Sequence, residues 1–250
     1  MRAPVIEIRG FGMRYGRSGW AVRELDLSVP PGCVHLLLGS NGAGKSTTVL
    51  FTANLLPGAV GELRLFGEKI AARQYRFLRR TGYQLENHPL LPKLTGREYL
   101  LFCGQMFGCS FPGLRVRAEQ LLRSLQMERD LDRRIEHYSF GMRKKLALAS
   151  ALIHEPELLV LDDPFTGVDR GARLAIRERM AAMTASGGTV LLTACDVEGL
   201  DGIYDSAAVL EGGRVVRRIE NKKNPGPGIR LGSGVRGNAV GGGTASQLIW

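Results

Sequence analysis

The feature that most constrains this fold is a glycine-rich run at residues 39–47, with the sequence Gly-Ser-Asn-Gly-Ala-Gly-Lys-Ser-Thr. It follows the apolar residues 34–38 and precedes residues 48–51, which have helical character. Glycines in a loop between a strand and a helix let successive backbone N–H groups converge on phosphate oxygens. The run therefore predicts a binding site for a nucleoside triphosphate.

Each residue of this run is expected to contact the nucleotide or its metal ion. Lys45 would place a positive charge beside the β- and γ-phosphates, and the Ser46 hydroxyl would bind Mg²⁺. The predicted cofactor-binding residues of the loop are Gly39, Ser40, Asn41, Gly42, Ala43, Gly44, Lys45, Ser46 and Thr47.

Length and composition limit the architecture. A chain of 250 residues with 44% hydrophobic residues can bury one sizeable core, with or without a small appended subdomain. No apolar run approaches the roughly 18 residues that cross a bilayer, and the first eleven residues alternate as in a strand rather than a signal peptide. We therefore expect a soluble, cytosolic protein. The four cysteines lack metal-binding spacing and are expected to be reduced thiols.

The net charge of +10 does not by itself indicate a nucleic-acid partner. Part of it comes from residues 221–250, which contain Lys222, Lys223, Arg230 and Arg236 and no acidic residue. The other basic residues are dispersed among acids, without the aromatic and basic stripe that stacks bases. We expect no nucleic-acid partner.

The pattern of apolar residues predicts an α/β fold. Residues 5–9 and 25–29 alternate as in an antiparallel sheet, and residues 95–107 and 114–127 have helical character within a helical subdomain at about 89–150. After residue 158, short apolar strands alternate with helices, as in a parallel sheet.

The last thirty residues differ from the rest in composition. Residues 1–220 are predicted to form the folded domain, whereas residues 221–250 hold eight glycines and few large apolar side chains. Such a segment is predicted to be disordered because it cannot offset the entropy lost on ordering. The alternative is a basic arm that meets anionic lipid.

A second group of motifs lies downstream of the loop. Residues 138–142, Tyr-Ser-Phe-Gly-Met, are followed by the apolar residues 158–161 and the carboxylates Asp162 and Asp163. A carboxylate at the end of a strand beside a phosphate loop can hold Mg²⁺ through water, and we predict that role for Asp162. Asp163 would face the attacking water.

With the phosphate loop upstream, these motifs resemble the nucleotide-binding subunit of an ATP-binding cassette (ABC) transporter. The resemblance spans residues 5–219 and covers the Walker A loop (39–47), a variant signature (138–142), Walker B (158–163) and a D-loop (166–169). It implies an ATPase with a P-loop ABC cassette fold: a parallel-sheet core, an N-terminal antiparallel β portion and a helical subdomain. The form of the signature, with residues 94–100 before it, looks like ABC-2 type exporters.

The resemblance also implies partners and further site residues. Two cassettes would form a head-to-tail dimer, either a homodimer or an asymmetric heterodimer, in which Ser139 and Gly141 reach the γ-phosphate of the partner's ATP. An integral membrane permease subunit would place the chain on the cytoplasmic face of the membrane. Tyr15 would stack on adenine, or be an ordinary surface tyrosine. Glu86 would sense Mg²⁺ and the permease, with Gln84 as a rival two residues earlier.

Two residues depart from the family's pattern. The residue after the Walker B aspartate is usually a glutamate and here is Asp163, one methylene shorter. Where the family has a histidine that bonds the γ-phosphate, this chain has Cys195, whose thiol is a weak donor. Asp163, Glu86 and Cys195 are the predicted catalytic positions, and we expect slow hydrolysis at this chain's own site.

Several interpretations remain open from the sequence. The chain could be a working ATPase that tolerates both changes, or one half of an asymmetric dimer that retains ATP at its own site. It could also be a catalytically degenerate nucleotide-sensing or regulatory module. A soluble ABC protein of translation or DNA repair would usually carry two cassettes or a long coiled-coil insertion, which 250 residues do not accommodate.

Overall fold

The computed structural model describes residues 3–16, 19–197, 200 and 202–220. The helices are α1 (Lys45–Thr52), α2 (Gly96–Met106), α3 (Phe111–Ser124), α4 (Phe140–Leu152) and α5 (Arg170–Ala185). The strands are β1 (Ile6–Arg14), β2 (Trp20–Val29), β3 (Val34–Gly39), β4 (Val60–Leu65), β5 (Glu68–Lys69), β6 (Thr81–Gln84), β7 (Leu158–Leu161), β8 (Thr189–Ala194), β9 (Ser206–Glu211) and β10 (Arg214–Glu220). Short 3₁₀ turns lie at Arg76–Arg80 and Ile135–His137.

The strands form two sheets. An antiparallel sheet has the order β2-β1-β4-β5, and a larger sheet has the order β10-β9-β3-β8-β7-β6. In the larger sheet β9, β3, β8, β7 and β6 are parallel, and only β10 pairs antiparallel, at the edge beside β9. The predicted parallel core and N-terminal antiparallel portion are confirmed.

The central strands form because both faces of the larger sheet are covered. Every residue of β3, β7 and β8 is buried, as expected for a parallel sheet with a layer on each side. One apolar cluster lies between this sheet and α2–α5, and a second lies between it, α1 and the antiparallel sheet. The rings of Phe11 and Phe51 stack 3.9 Å apart and join β1 to α1. The glycine-rich loop is thereby fixed between two packed layers.

The helical part of the structure covers residues that the sequence marked as helical. The capping box at Thr95 is present, since its hydroxyl accepts from Glu98 N at 3.2 Å and its own N–H donates to the Glu98 carboxylate at 2.8 Å. Most of residues 129–136, a charged connector between α3 and α4, are exposed, while Ile135 is buried and Asp132 pairs with Arg97 of α2. The connector is therefore tied to the helices.

The two edge strands of the larger sheet, β6 and β10, were not predicted. β6 contains a glycine and a glutamine, and β10 is rich in arginine, so neither has the apolar run of a central strand. Gly82 of β6 lies so close to α4 that an added Cβ would stand 1.9 Å from the carbonyl oxygen of Ala151. Among the described helices, none has both the length and the apolar character needed to cross a bilayer. The predicted tail, residues 221–250, lies outside the described residues.

Candidate nucleotide-binding site

The glycine-rich loop connects the end of β3 to the start of α1, as predicted. Gly42 and Gly44 adopt φ values of 79° and 103°, which side-chain-bearing residues rarely adopt. Gly39 is constrained by space instead, because an added Cβ would lie 2.6 Å from the carbonyl oxygen of Leu210. These three glycines are therefore required by the backbone path of the loop.

The loop presents backbone donors at the start of α1. Gly44 is the N-cap and supplies no side-chain hydrogen bond. The first N–H groups of a helix have no partner within the helix, so those of α1 are suited to phosphate oxygens. The Lys45 side chain is buried, and its Nζ donates to the carbonyl oxygens of Gly39 at 2.8 Å and Ser40 at 3.0 Å. A positive charge is thus held inside the loop.

The donor set beside the loop fits Mg²⁺. Ser46 lies in the first turn of α1, and Asp162 follows β7 with 3% of its surface exposed. The part of the chain that the structure describes holds no group of three or more His, Cys, Asp or Glu residues able to bind a metal. Protein Mg²⁺ sites commonly use one or two oxygen side chains and complete the shell with water and substrate phosphates. Ser46 and Asp162 match that pattern.

Asp163 is held at three points. Its N–H donates to Thr193 Oγ1 at 3.0 Å, its carboxylate accepts from Thr166 Oγ1 at 2.9 Å, and its carbonyl oxygen accepts from Lys144 Nζ at 2.6 Å. Its φ of 48° is in the left-handed region, where a residue with a side chain is strained. Thr193 also donates to Asp162 Oδ1 at 2.7 Å, so one hydroxyl orients both acids.

The structure brings Cys195 to the phosphate loop across a long stretch of sequence. Its Sγ donates to Asn41 Oδ1 at 2.9 Å and lies 3.4 Å from Lys45 Nζ. Residue 195 therefore lies beside Asn41 and Lys45, two of the residues predicted to bind the nucleotide. A thiol there is a weaker donor than the imidazole of related cassettes.

Tyr15 lies on the other side of the loop. Its hydroxyl is 3.4 Å from Thr47 Oγ1, and 46% of the residue is exposed. An aromatic face beside the start of α1 is available for a flat base, which is compatible with the predicted adenine contact.

The signature residues lie at the start of α4. Ser139 is the N-cap, and its hydroxyl accepts from Met142 N at 3.2 Å. Gly141 lies in the first turn, with the Asp169 carboxylate 3.8 Å from the position of an added Cβ. Ser139 is exposed, so this end of α4 is accessible to a second molecule.

Gln84 and Glu86 have different environments. Gln84 ends β6 and is fully buried, and neither polar atom of its side chain has a hydrogen-bond partner. Glu86 is exposed and lines a cavity of about 380 Å³ together with Phe140 and Lys144. The geometry favours Glu86 as the residue able to contact a ligand.

Two site residues were missed by reasoning from the sequence. Thr193 ends the buried strand β8, and a hydroxyl at the carboxyl end of such a strand was the available signal. Lys144 is buried in α4, where burial lowers the pKa of its ammonium and the nearby carboxylates of Asp163, Glu86 and Asp162 oppose that shift. The sequence alone marks Lys144 only as one of several dispersed basic residues.

Comparisons with known proteins agree with this geometry. The profile of the family described as "ABC transporter" matches residues 22–166. The chain is 36% identical to the Nod factor export ATP-binding protein I of Ralstonia nicotianae, over 85% of this chain and 66% of that protein. It is 37% identical to the daunorubicin/doxorubicin resistance ATP-binding protein DrrA of Streptomyces peucetius, over 78% of this chain and 59% of that protein. The chain thus spans less than two thirds of the length of these two relatives.

Solved structures share the fold. The ATP-binding subunit of an ABC transporter superposes with a TM-score of 0.78 at 30% identity, covering 86% of this chain and 90% of the other. A dimeric cassette in a post-hydrolysis state with ADP and Pi gives a TM-score of 0.78 at 21% identity, covering 87% of this chain and 99% of the other.

Proposed function

Because this chain belongs to the ABC transporter family, we propose that it is the ATP-binding subunit of an ABC-2 type exporter. It would couple ATP binding and slow hydrolysis to substrate export through a separate membrane subunit. The observation that carries the proposal is Lys45, buried inside the glycine loop with its Nζ bonded to the carbonyl oxygens of Gly39 and Ser40. The names of two relatives, one for Nod factor export and one for drug resistance, support export as the direction.

Each part of the site has a role in phosphoryl transfer. The amides of the loop and Lys45 would hold the β- and γ-phosphates, while Ser46 and Asp162 would hold the metal ion. Mg²⁺, when bound, supplies positive charge that stabilises the phosphoryl group during transfer. Asp163 orients the attacking water, with its carboxylate positioned by Thr166.

Slow turnover follows from the same geometry. The shorter Asp163 side chain is already bonded to Thr166, and a misplacement of about 1 Å can cost on the order of 100-fold in rate. Cys195 replaces a charge-assisted donor, whose loss is worth roughly 1.5–3 kcal/mol. The two effects act on one transition state and need not multiply. ATP would therefore be held longer at this site than in a cassette with both family residues.

A second cassette would complete each site. Ser139 is exposed at the start of α4, where the helix dipole and the free N–H groups favour a polyanion from a partner. A solved relative of the same fold is dimeric, which supports this arrangement. The partner would be a second copy of this chain or a different cassette with a faster site.

The helical part is the proposed docking surface for the permease. Phe102 and Met106 of α2 are four residues apart on one helix face and are 46% and 74% exposed. Nearby, a cavity of about 290 Å³ lies between α2 and the core and is lined by Leu55, Tyr83 and Phe107 among others. An amphipathic segment of the membrane subunit fits such a groove, and would hold the chain at the cytoplasmic face of the membrane.

The test is co-purification and nucleotide binding. The chain expressed with its candidate permease should copurify with it, and MgATP should raise the midpoint of thermal unfolding of the isolated chain. A chain that dimerises with ATP but releases no phosphate and binds no permease would instead be a nucleotide-sensing module. That function is the second candidate because Asp163 and Cys195 replace residues that the family uses for hydrolysis. A chain that MgATP does not stabilise would contradict both.

A further inference from the structure

Lys144 is a buried cation among acidic groups. Only 5% of the residue is exposed, and its Nζ donates to the Asp163 carbonyl oxygen at 2.6 Å. The carboxylates of Asp163, Glu86 and Asp162 all lie near enough to favour the charged ammonium. Burying an ammonium is unfavourable unless it is paired and hydrogen-bonded. The carbonyl bond and the nearby carboxylates offset part of this cost, although burial still lowers the pKa of the ammonium. The rest of the helix at this point buries mainly apolar residues.

A second contact joins the same two segments. The ring of Phe140, in the first turn of α4, packs against Gly167 so closely that an added Cβ there would lie 2.7 Å from the ring. Lys144 Nζ lies 5.6 Å from the centroid of that ring. The first turns of α4 therefore contact the segment 163–167 at two points, through Phe140 and Lys144.

We propose that Lys144 is a positioning residue that couples the start of α4 to the water-orienting carboxylate of the same chain. It holds the backbone of Asp163 in its left-handed conformation and offsets the negative charge of the acids around the metal site. Since α4 begins with the residues that would meet the partner's nucleotide, closure of the dimer would be transmitted to Asp163 through this contact. The inference rests on the proposed function, because it assigns a role within that site.

The two actions of Lys144 predict opposite effects of its removal. Loss of the hydrogen bond frees the Asp163 backbone and slows turnover. Loss of the charge leaves three carboxylates less compensated, so Mg²⁺ should bind more tightly with nucleotide. A residue that only supports the fold would weaken both properties when replaced.

The experiment uses the full chain and ATP at fixed concentration, with MgCl₂ titrated. The readouts are the Mg²⁺ concentration that gives half of the ATP-induced rise in unfolding temperature, and phosphate release at high protein concentration. For Lys144→Met we expect turnover to fall about 10-fold, as for loss of one charge-assisted bond, and the Mg²⁺ midpoint to fall about 3-fold. Lys144→Arg should restore both.

The controls separate charge, hydrogen bond and fold. Lys145→Met removes a neighbouring buried lysine of the same helix, whereas the hydrogen bond to Asp163 comes from Lys144, so it should leave the Mg²⁺ midpoint unchanged. Lys144→Gln keeps a donor without the charge, so it should lower the Mg²⁺ midpoint with a smaller loss of turnover. If Lys144→Met does not fold, Lys144→Gln still tests the proposal.

The outcomes are distinguishable. If the wild-type chain shows no response to MgATP, the proposed function fails. If the wild-type chain responds but the Lys144 variants raise the Mg²⁺ midpoint, or match Lys145→Met in both readouts, the positioning role of Lys144 is wrong.

Discussion

The two halves of the nucleotide site are built in different ways. The phosphate half, residues 39–47, is held by contacts within itself: Lys45 bonds to carbonyl groups five and six residues earlier. The hydrolytic half joins distant residues, since Asp162 depends on a hydroxyl 31 positions away and Cys195 bonds to a residue 154 positions away. On the proposed roles, binding is therefore encoded largely within the loop, whereas the rate depends on long-range packing. Of the two departures from the family, Asp163 lies in the hydrolytic half and Cys195 lies where that half meets the loop.

The largest expected effect comes from removing the charged side chain of the phosphate half, which tests whether this half binds the nucleotide. Lys45→Ala should weaken ATP binding about 100-fold, because it removes a charge-assisted contact worth up to roughly 3 kcal/mol. Equilibrium titration with a fluorescent ATP analogue measures the change. Lys69→Ala is the matched control, since Lys69 pairs with Glu62 on the exposed edge strand β5. Unchanged affinity in the Lys45 variant would refute the assignment of the loop.

Restoring the hydrolytic half should change rate and leave affinity nearly constant. The double variant Asp163→Glu with Cys195→His is expected to raise turnover about 10- to 100-fold, because it recovers reach to the water and a charge-assisted donor. Phosphate release and ATP affinity are measured on the same preparations, and each single variant shows which residue limits the rate. An absence of any gain would mean that these two positions do not limit hydrolysis.

Acid should weaken the strand that carries the phosphate loop. His35 of β3 is buried, and burial lowers its pKa to about 4, below the value near 6.5 of an unfolded histidine. The unfolded chain therefore binds the proton first as pH falls, and stability drops between about pH 6.5 and pH 4. From pH 7 to pH 5 this one group should cost about 2 kcal/mol.

Urea unfolding at pH 7 and pH 5 measures this loss. His35→Gln, which does not titrate, should lose about 2 kcal/mol less than the wild-type chain over that range. His137→Gln, at a side chain that is 61% exposed, should behave like the wild type. An equal acid loss in the His35 variant and the wild type would contradict the assignment.

The smallest expected effect is on the reactivity of Cys195, which lies where the hydrolytic half meets the phosphate half. Because Cys195 lies 3.4 Å from Lys45 Nζ, a bound triphosphate should slow alkylation of its thiol by iodoacetamide several-fold. Peptide mapping separates Cys195 from Cys33, Cys103 and Cys109, whose labelling should not respond to MgATP. Equal labelling of Cys195 with and without nucleotide would place it outside the site.

Sequence reasoning succeeded where structure is set locally or by continuous apolar runs. The glycine loop, the Thr95 capping box and the buried strands β3, β7 and β8 were all predictable for that reason. The edge strands β6 and β10 were missed because their pairing, not their composition, makes them strands. The roles of Thr193 and Lys144 were missed because their partners are 30 and 19 residues away.

The exposed face formed by Phe102 and Met106 of α2 has a consequence for the cell. If a permease covers this face as proposed, a chain made in excess of that partner would leave these large apolar side chains in water, where they favour self-association. Balanced synthesis of the chain and the proposed permease would then protect the chain from aggregation, so the ratio of the two should affect its solubility in the cell.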